Sequence, residues 1–269
     1  MEAHRFEERA VTDALDVDRP NLARATDYLF GGGANFAADR AAVQELLANH
    51  PGFEVRLQAA RTFVARAVRE ALARGHDQFV DLGSGIPSVG ALHTSTGYGT
   101  RVVYVDVDPV AVAHTRESLL GAWTDAHVAV RLADLRDVGT VLAEAAASGL
   151  DLQRPVTLVC NSVLQWLTTT DTEDLAAVFA AYRTALAPGS LLVLSLPHAD
   201  LLPHYALDEV VPVIEQSIGP VRLRRRAEVE TLIAGWDVLD PGLVDVTAWP
   251  GPSGAEPAGY YAVVCASRP

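Results

Sequence analysis

Lysine is absent from this chain of 269 residues, so arginine carries all of its side-chain positive charge apart from histidine. The absence excludes a P-loop lysine, a pyridoxal-phosphate Schiff base and any other chemistry that depends on a lysine. Positive charge is also scarce, because 21 basic residues face 34 acidic ones and the formal net charge is -13. This balance disfavours a general binding surface for nucleic acid or for an anionic membrane.

Cysteine is scarce as well, and long apolar runs are missing. Cys160 and Cys265 are the two cysteines, and each lies in a short apolar run. Isolated cysteines of this kind indicate buried, reduced thiols in a cytoplasmic protein, and neither a disulfide framework nor a metal site is expected. No apolar run reaches the length of a membrane span, and the N-terminus is too charged for a signal peptide.

The most informative stretch that is present covers residues 79–86, Phe-Val-Asp-Leu-Gly-Ser-Gly-Ile. It predicts a buried strand, a tight turn and then a helix, with Gly83 and Gly85 leaving room for a ligand beside the backbone. A second apolar strand ends at Asp106, about 20 residues further on, and such an acid typically binds ribose hydroxyls. The spacing therefore predicts a nucleotide-binding turn.

Two details favour S-adenosylmethionine over a dinucleotide. A dinucleotide fingerprint needs a third glycine where this chain has Ser88. The pattern Asp-x-Gly-x-Gly that begins at Asp81 is the form found in S-adenosylmethionine enzymes, and its carboxylate could hold the turn or meet a cationic ligand. Asp134 follows the third predicted strand, where it or the neighbouring backbone at Leu135 could contact the adenine amino group.

From residue 78 onward, strands alternate with helices, which predicts a mostly parallel sheet covered on both faces. The predicted fold is α/β and doubly wound, with seven strands, the last two forming a hairpin. The one basic cluster, Arg222 and residues 224–226, is predicted to be a solvated helix start. The predicted strands are 78–82, 101–105, 127–132, 155–160, 190–196, 243–247 and 260–266, and the predicted helices are 88–96, 109–121, 137–147, 172–186, 203–218 and 225–235.

Helical patterns also precede the first strand. Residues 1–19 predict a loose arm or short helix, and Asn21 is placed to cap the helix that follows. Three glycines, residues 31–33, form either a flexible corner or a lid that approaches a ligand. Residues 1–75 are thus predicted to be a helical cap on the Rossmann-like, cofactor-binding part, residues 76–269. The helices of this cap are predicted at 22–30, 35–48 and 53–74.

Residues 24–40 read Arg-Ala-Thr-Asp-Tyr-Leu-Phe-Gly-Gly-Gly-Ala-Asn-Phe-Ala-Ala-Asp-Arg. With residues 81–87, 103–109 and 188–195, this segment resembles a family of actinobacterial S-adenosylmethionine-dependent methyltransferases, long catalogued as a domain of unknown function. The resemblance spans nearly the whole chain. It implies a class I methyltransferase fold, with S-adenosyl-L-methionine as the cofactor and S-adenosyl-L-homocysteine as its product. The departures from the family pattern are Thr26 in place of a tyrosine, Gly33-Ala34 in place of Lys-Asp, and Gln165-Trp166 in place of His-Phe.

These observations define a candidate site. No catalytic residue is assigned, and His93, Gln165 and His198 are the candidates, with His204 as a further acid or base. Methyl transfer is an in-line displacement, so a base is needed only if the acceptor carries a proton at neutral pH. The substrate pocket is predicted to include Gln165, Trp166 and His198, and the cofactor-binding residues to be Tyr28, Phe36, Asp81, Gly83, Ser84, Gly85, Asp106, Val107, Asp108, Asp134, Leu135, Asn161 and Ser162.

The predicted function is methyl transfer to a small-molecule acceptor, such as a secondary metabolite. Three alternatives remain open. The cofactor could donate its aminocarboxypropyl arm or cyclise; the protein could bind the cofactor without turnover; or it could be a nicotinamide oxidoreductase, which Ser88 disfavours. No nucleic-acid or membrane partner is expected, and a homodimer is one open oligomeric state.

Overall fold

The structure, a computed structural model, describes residues 16–87, 91–120, 126–200, 211–216, 218–251 and 254–268. Predictions for residues 1–15, Ser88, His204 and the 203–210 part of one predicted helix lie outside these ranges. Among the described residues, the helices with defined bounds are α1 (Leu22–Leu29), α2 (Ala37–Asn49), α3 (Phe53–Ala73), α4 (Leu92–Thr96), α5 (Pro109–Leu119), α6 (Val138–Ala147), α7 (Thr172–Ala185) and α8 (Arg226–Leu232), and residues 211–216 are also helical. The strands are β1 (Gln78–Leu82), β2 (Arg101–Asp106), β3 (His127–Leu132), β4 (Thr157–Asn161), β5 (Leu191–Pro197), β6 (Asp237–Val238), β7 (Val244–Asp245) and β8 (Tyr260–Ala266).

The strands form one sheet in the order β3-β2-β1-β4-β5-β8-β6, with β7 paired to β8. The first five strands are parallel, and β8 runs antiparallel to β5. The predicted mostly parallel, doubly wound sheet is confirmed, as is the antiparallel closing pair. Within the part of the chain that the structure describes, the sheet has eight strands where seven were predicted, because the two-residue β6 is too short to leave an alternating pattern in the sequence.

Side chains of β1 alternate between two buried clusters, one on each face of the sheet. Val80 and Leu82 pack in the cluster that includes residues of α6, α7 and α8. Phe79 packs on the other face, in the cluster that includes residues of α1, α2 and α3. Because alternate residues of a strand point the same way, Asp81 lies on the face of Phe79, toward α3. This alternation directs a carboxylate toward the helices that precede the sheet.

Those preceding helices begin at Asn21, whose side-chain oxygen accepts a hydrogen bond from the backbone N–H of Arg24 at 3.1 Å and so caps α1. The glycine corner at residues 31–33 closes around Asp27, whose carboxylate accepts a hydrogen bond from the backbone of Ala34. A β-carbon at Gly32 would lie 1.8 Å from Oδ1 of Asp27, which explains a glycine there. None of the three glycines lines the cavities described below.

Within the described ranges, no helix is long and apolar enough to cross a membrane.

Candidate functional site

A cavity of about 280 Å³ lies at the carboxyl ends of β1, β2 and β4, with side chains of α1 and α3 in its wall. The strand order reverses direction between β1 and β4, and open α/β sheets bind ligands at such a point. A smaller cavity of about 60 Å³ shares part of the same wall and includes Asp81. The predicted cofactor residues that line the larger cavity are Gly83, Ser84, Gly85, Asp106, Val107, Asp108, Asp134, Leu135, Asn161 and Ser162.

The glycine turn forms one wall of this cavity. Gly83 and Gly85 have φ angles of 70° and 60°, a region that favours glycine. The backbone N–H groups of Gly83 and Ser84 donate to the carbonyl of Val105 at 2.8 and 3.1 Å, which holds the turn against the end of β2. The sequence therefore places an open stretch of backbone beside the cavity.

Asp106 ends β2 and braces the turn from the other side. Its Oδ2 accepts a hydrogen bond from the backbone N–H of Gly85 at 2.7 Å, and its Oδ1 accepts one from that of Asp108 at 2.9 Å. Burial raises the pKa of Asp106, while the two backbone donors oppose that rise. Each carboxylate oxygen can accept a further bond, so Asp106 can still receive two hydroxyl donors from a ligand.

Asp81 faces the smaller cavity, between α3 and the sheet. Burial raises the pKa of Asp81 to about 7, because the charged form loses hydration there; Arg61 opposes this rise and Asp106 adds to it. Tyr104, its partner in the β1–β2 register, lines the same cavity. A cationic ligand placed beside Asp81 would therefore have a large effect on the pKa of this carboxyl group.

Arg61 of α3 lines both cavities and was not among the predicted site residues. Burial lowers the pKa of Arg61 to about 10, and the carboxylates of Asp81 and Asp27 oppose that change. Its guanidinium carbon lies 3.4 Å from the centre of the Phe30 ring, which also lines the larger cavity. In the sequence, Arg61 is only an arginine beside the apolar stripe of an amphipathic helix, and that pattern is too common to indicate a site.

Asp134 and Leu135 lie past the end of β3, as predicted. The carboxylate of Asp134 accepts hydrogen bonds from Nε of Arg136 at 2.9 and 3.0 Å, and these bonds lower the pKa of Asp134. The backbone carbonyl of Leu135 accepts a bond from the Tyr182 hydroxyl at 2.8 Å. Arg136 therefore already engages the acid predicted to meet adenine.

The end of β4 supplies the opposite wall of the cavity. Ser162 has a φ of 56°, the one positive φ at a non-glycine residue in the described ranges. Strained backbone of this kind is concentrated at functional sites. The short 3₁₀ turn Leu164–Trp166 follows and brings Trp166 to the cavity. Nη1 of Arg224 donates to the carbonyl of Leu164 at 2.7 Å.

Arg224 corrects the prediction of a solvated basic cluster. Its side chain is fully buried against the 3₁₀ turn, whereas the helix start proper is Arg226 of α8. A cluster of arginines is usually solvated, so composition gave no sign that one of them supports the loop that carries Trp166.

Several predicted residues lie elsewhere, none of them lining either cavity. The Tyr28 hydroxyl accepts a bond from Gln44, and Phe36 packs 5.1 Å from the Arg24 guanidinium. Gln165 is buried and its amide donates to the Ser162 carbonyl. Nδ1 of His93 lies 2.8 Å from the Tyr104 hydroxyl, and the buried His198 stacks on Tyr261.

A family model described as S-adenosyl methyltransferase matches residues 8–266 of the chain. A proposed methyltransferase from Thermobifida fusca is 30% identical with a TM-score of 0.81, over 94% of this chain and 97% of that one. A DUF574 family protein from Streptomyces avermitilis is also 30% identical, with a TM-score of 0.83, over 94% of this chain and 99% of that one. None of the curated proteins matches the sequence significantly.

A more distant similarity concerns the fold alone. Magnesium protoporphyrin IX methyltransferase from Synechocystis PCC 6803, solved with bound S-adenosylhomocysteine, is 16% identical with a TM-score of 0.53. The match covers 91% of this chain and 93% of that one. The mostly parallel sheet with helices on both faces is therefore the class I methyltransferase arrangement.

Proposed function

The chain belongs to the family of S-adenosyl methyltransferases, whose cofactor is S-adenosylmethionine, and from this premise we propose that it methylates a small-molecule acceptor. One observation carries the proposal. The glycine turn, Asp106 and Asn161 meet in one cavity at the strand ends, and α1 and α3 contribute apolar walls to it. This arrangement has the polar groups for the cofactor on the sheet side and apolar surface for an acceptor on the helix side.

The residues of the cavity fit the cofactor part by part. Asp106 would accept bonds from the ribose hydroxyls, since both of its oxygens retain acceptor capacity. Gly83 and Ser84 would lie beside the methionine portion. In the smaller cavity, Arg61 would pair with the carboxylate of that portion and Asp81 with its ammonium group. Asp134 and Leu135 would lie near the adenine.

The helices before the sheet would act as the cap of this site. Leu22 and Phe30 of the α1 region, and Leu57 of α3, contribute apolar side chains to the cavity wall. When bound, the cofactor supplies a methyl group on a positively charged sulfur, and the tasks of the chain are to align the acceptor and exclude water. Apolar walls over the reaction centre serve the second task.

The acceptor is proposed to be a small, largely apolar molecule. In addition to the apolar wall from α1 and α3, the loop after β4 contributes the apolar and aromatic side chains of Val163, Trp166 and Leu167 to the cavity. The formal charge of -13 supports a neutral or cationic compound over a nucleic acid. We place the reaction in the cytoplasm, because Cys160 and Cys265 are buried free thiols.

Calorimetric titration with S-adenosylmethionine and S-adenosylhomocysteine tests the cofactor site, using wild type and Asp106→Ala. Loss of a hydrogen bond to a charged group costs about 1.5–3 kcal/mol, so affinity for both ligands should fall at least about tenfold. Asp237→Ala is the matched control, because Asp237 lies on β6 at the sheet edge and its partly exposed side chain pairs with Arg268. Equal affinities of Asp106→Ala and wild type would contradict the assignment of the ribose site.

Product analysis tests the reaction. Incubation with S-adenosylmethionine and a panel of apolar small molecules should yield S-adenosylhomocysteine together with a methylated compound. Methylthioadenosine as the nucleoside product would indicate transfer of the aminocarboxypropyl arm or cyclisation instead. Tight binding without either product would favour a non-catalytic binding module.

A further inference from the structure

Asn21 lies where three parts of the chain meet. Its side-chain oxygen caps α1, and its backbone N–H donates to Oδ1 of Asp39 in the first turn of α2 at 2.8 Å. Its side-chain amide donates to Oδ2 of Asp108 at 2.7 Å, across 87 residues of sequence. One residue therefore links the start of the helical cap to the strand–helix junction after β2.

Asp108 connects Asn21 to the wall of the cavity. Its Oδ1 accepts a bond from the backbone N–H of Val110 at 2.8 Å and so caps α5. Its own backbone N–H donates to Asp106, and Asp106 in turn accepts from Gly85. Asp108, Asp106 and Gly85 all line the larger cavity, whereas Asn21 does not. A continuous series of hydrogen bonds thus joins the cap to the glycine turn.

We propose that Asn21 is a positioning residue that latches α1 over the cofactor by holding Asp108. The inference rests on the proposed function, because it takes this cavity as the cofactor site. Leu22, Ala23 and Thr26 follow Asn21 and form part of the cavity wall. Movement of α1 away from the cavity would separate Asn21 from Asp108, so the latch controls how long the cofactor stays bound.

The pair allows a test that separates the latch from the helix caps. Asn21→Asp keeps a good capping oxygen on α1 but sets a second carboxylate against Asp108. Asp108→Asn keeps a capping oxygen on α5. The double variant Asn21→Asp with Asp108→Asn restores one donor and one acceptor, with the donor now on residue 108. A residue that acts only as a helix cap would show no such rescue.

The experiment is a double-mutant cycle on the full chain, measuring the affinity for S-adenosylhomocysteine and its dissociation rate. Asn21→Asp should bind at least about fivefold more weakly than wild type and release the ligand faster. In the Asp108→Asn background the same change should cost much less, so that the double variant binds almost as tightly as Asp108→Asn alone. Hydrogen exchange over residues 22–29 in the free protein should speed up in Asn21→Asp and slow again in the double variant.

The outcomes distinguish this inference from the proposed function. If wild type binds the ligand normally and the effects of the two substitutions on both affinity and exchange are additive, the latch is overturned. The assignment of the cofactor site is then unaffected. Wild type that binds neither S-adenosylmethionine nor S-adenosylhomocysteine overturns the proposed function, and the latch with it. Rescue in the double variant, seen in affinity and in exchange, supports the latch.

Discussion

Gly83 and Val163 are so close that a β-carbon at Gly83 would lie 2.2 Å from Cγ2 of Val163. Real β-carbons do not approach other atoms to this distance, so the turn after β1 requires glycine for space as well as for its φ of 70°. Gly85 has a similar φ of 60°, but a β-carbon there would meet nothing within 4 Å. The two glycines of the motif are therefore required for different physical reasons.

Gly83→Ala should destabilise the protein more than Gly85→Ala. The left-handed backbone costs alanine about 1–2 kcal/mol at either position, and overpacking against Val163 adds about 1–3 kcal/mol at Gly83 alone. Urea denaturation of both variants measures the difference. The double variant Gly83→Ala with Val163→Ala should recover part of the loss, and equal stabilities of the two single variants would refute the steric argument.

The ion pair between Arg24 and Asp39 should be the main electrostatic support of the cap. Nε of Arg24 lies 2.8 Å from Oδ2 of Asp39, and their side chains are 1% and 0% exposed. Asp39→Ala would leave a buried guanidinium without its carboxylate, which typically costs about 3–5 kcal/mol. The free energy of unfolding in urea measures this loss.

The control for that prediction is Glu70→Ala. Glu70 pairs with Arg74 at 3.0 Å, but their side chains are 50% and 46% exposed. An exposed pair of this kind contributes at most about 1 kcal/mol. If both substitutions changed stability equally, burial would not be what makes the Arg24–Asp39 pair important.

The strands and helices could be predicted because each leaves a local pattern in the sequence, either an apolar run or a helical period. The apolar run of β5 and the helical stripe of α3 both produce patterns that depend only on neighbouring residues. The spacing from Gly83 to Asp106 likewise reflects local geometry, since Gly83 directly follows β1 and Asp106 ends the neighbouring parallel strand β2. This is why ten predicted cofactor residues lie together in one cavity.

The direction of individual side chains outside the sheet could not be predicted in the same way. Thr26 and Phe30 line the cavity while Tyr28, between them, bonds to Gln44 instead. Gln165 turns inward and Trp166 turns to the cavity because a 3₁₀ turn, held by Arg224, sets their orientation. These outcomes depend on contacts between distant segments, which no local period records.

Arg61→Met should weaken binding of S-adenosylhomocysteine at least about tenfold, because a charge-assisted hydrogen bond contributes about 1.5–3 kcal/mol. Methylthioadenosine has no carboxylate, so its affinity should change less than about twofold if Arg61 meets only the amino-acid tail. The guanidinium carbon of Arg61 lies 3.4 Å from the centre of the Phe30 ring, and a methionine side chain would keep an apolar contact with that ring. Calorimetry with both ligands gives the comparison, and equal losses for both would show that Arg61 acts through the fold.

Asp81 should make the stability of the free protein depend on pH. Its pKa rises from 3.8 to about 7 through burial, so between these values the folded chain holds a proton that the unfolded chain has released. The contribution of Asp81 to the free energy of unfolding therefore falls as pH rises through this window and is constant above it. Asp81→Asn cannot ionise, and its stability relative to wild type should increase over the same window in urea titrations.

The affinity for the cofactor should depend on the same protonation of Asp81, but it should rise with pH where the stability of the free protein falls. An ammonium group placed beside Asp81 favours its carboxylate form, so a ligand that carries one must displace the proton below a pH of about 7. Affinity of wild type for S-adenosylhomocysteine should rise up to about tenfold per pH unit as pH approaches 7 from below, and that of Asp81→Asn should stay nearly flat. Calorimetry in two buffers of different ionisation enthalpy would also detect the released proton. Parallel pH profiles for the two proteins would mean that the ammonium group binds away from Asp81, and the smaller cavity would then lose its assigned ligand.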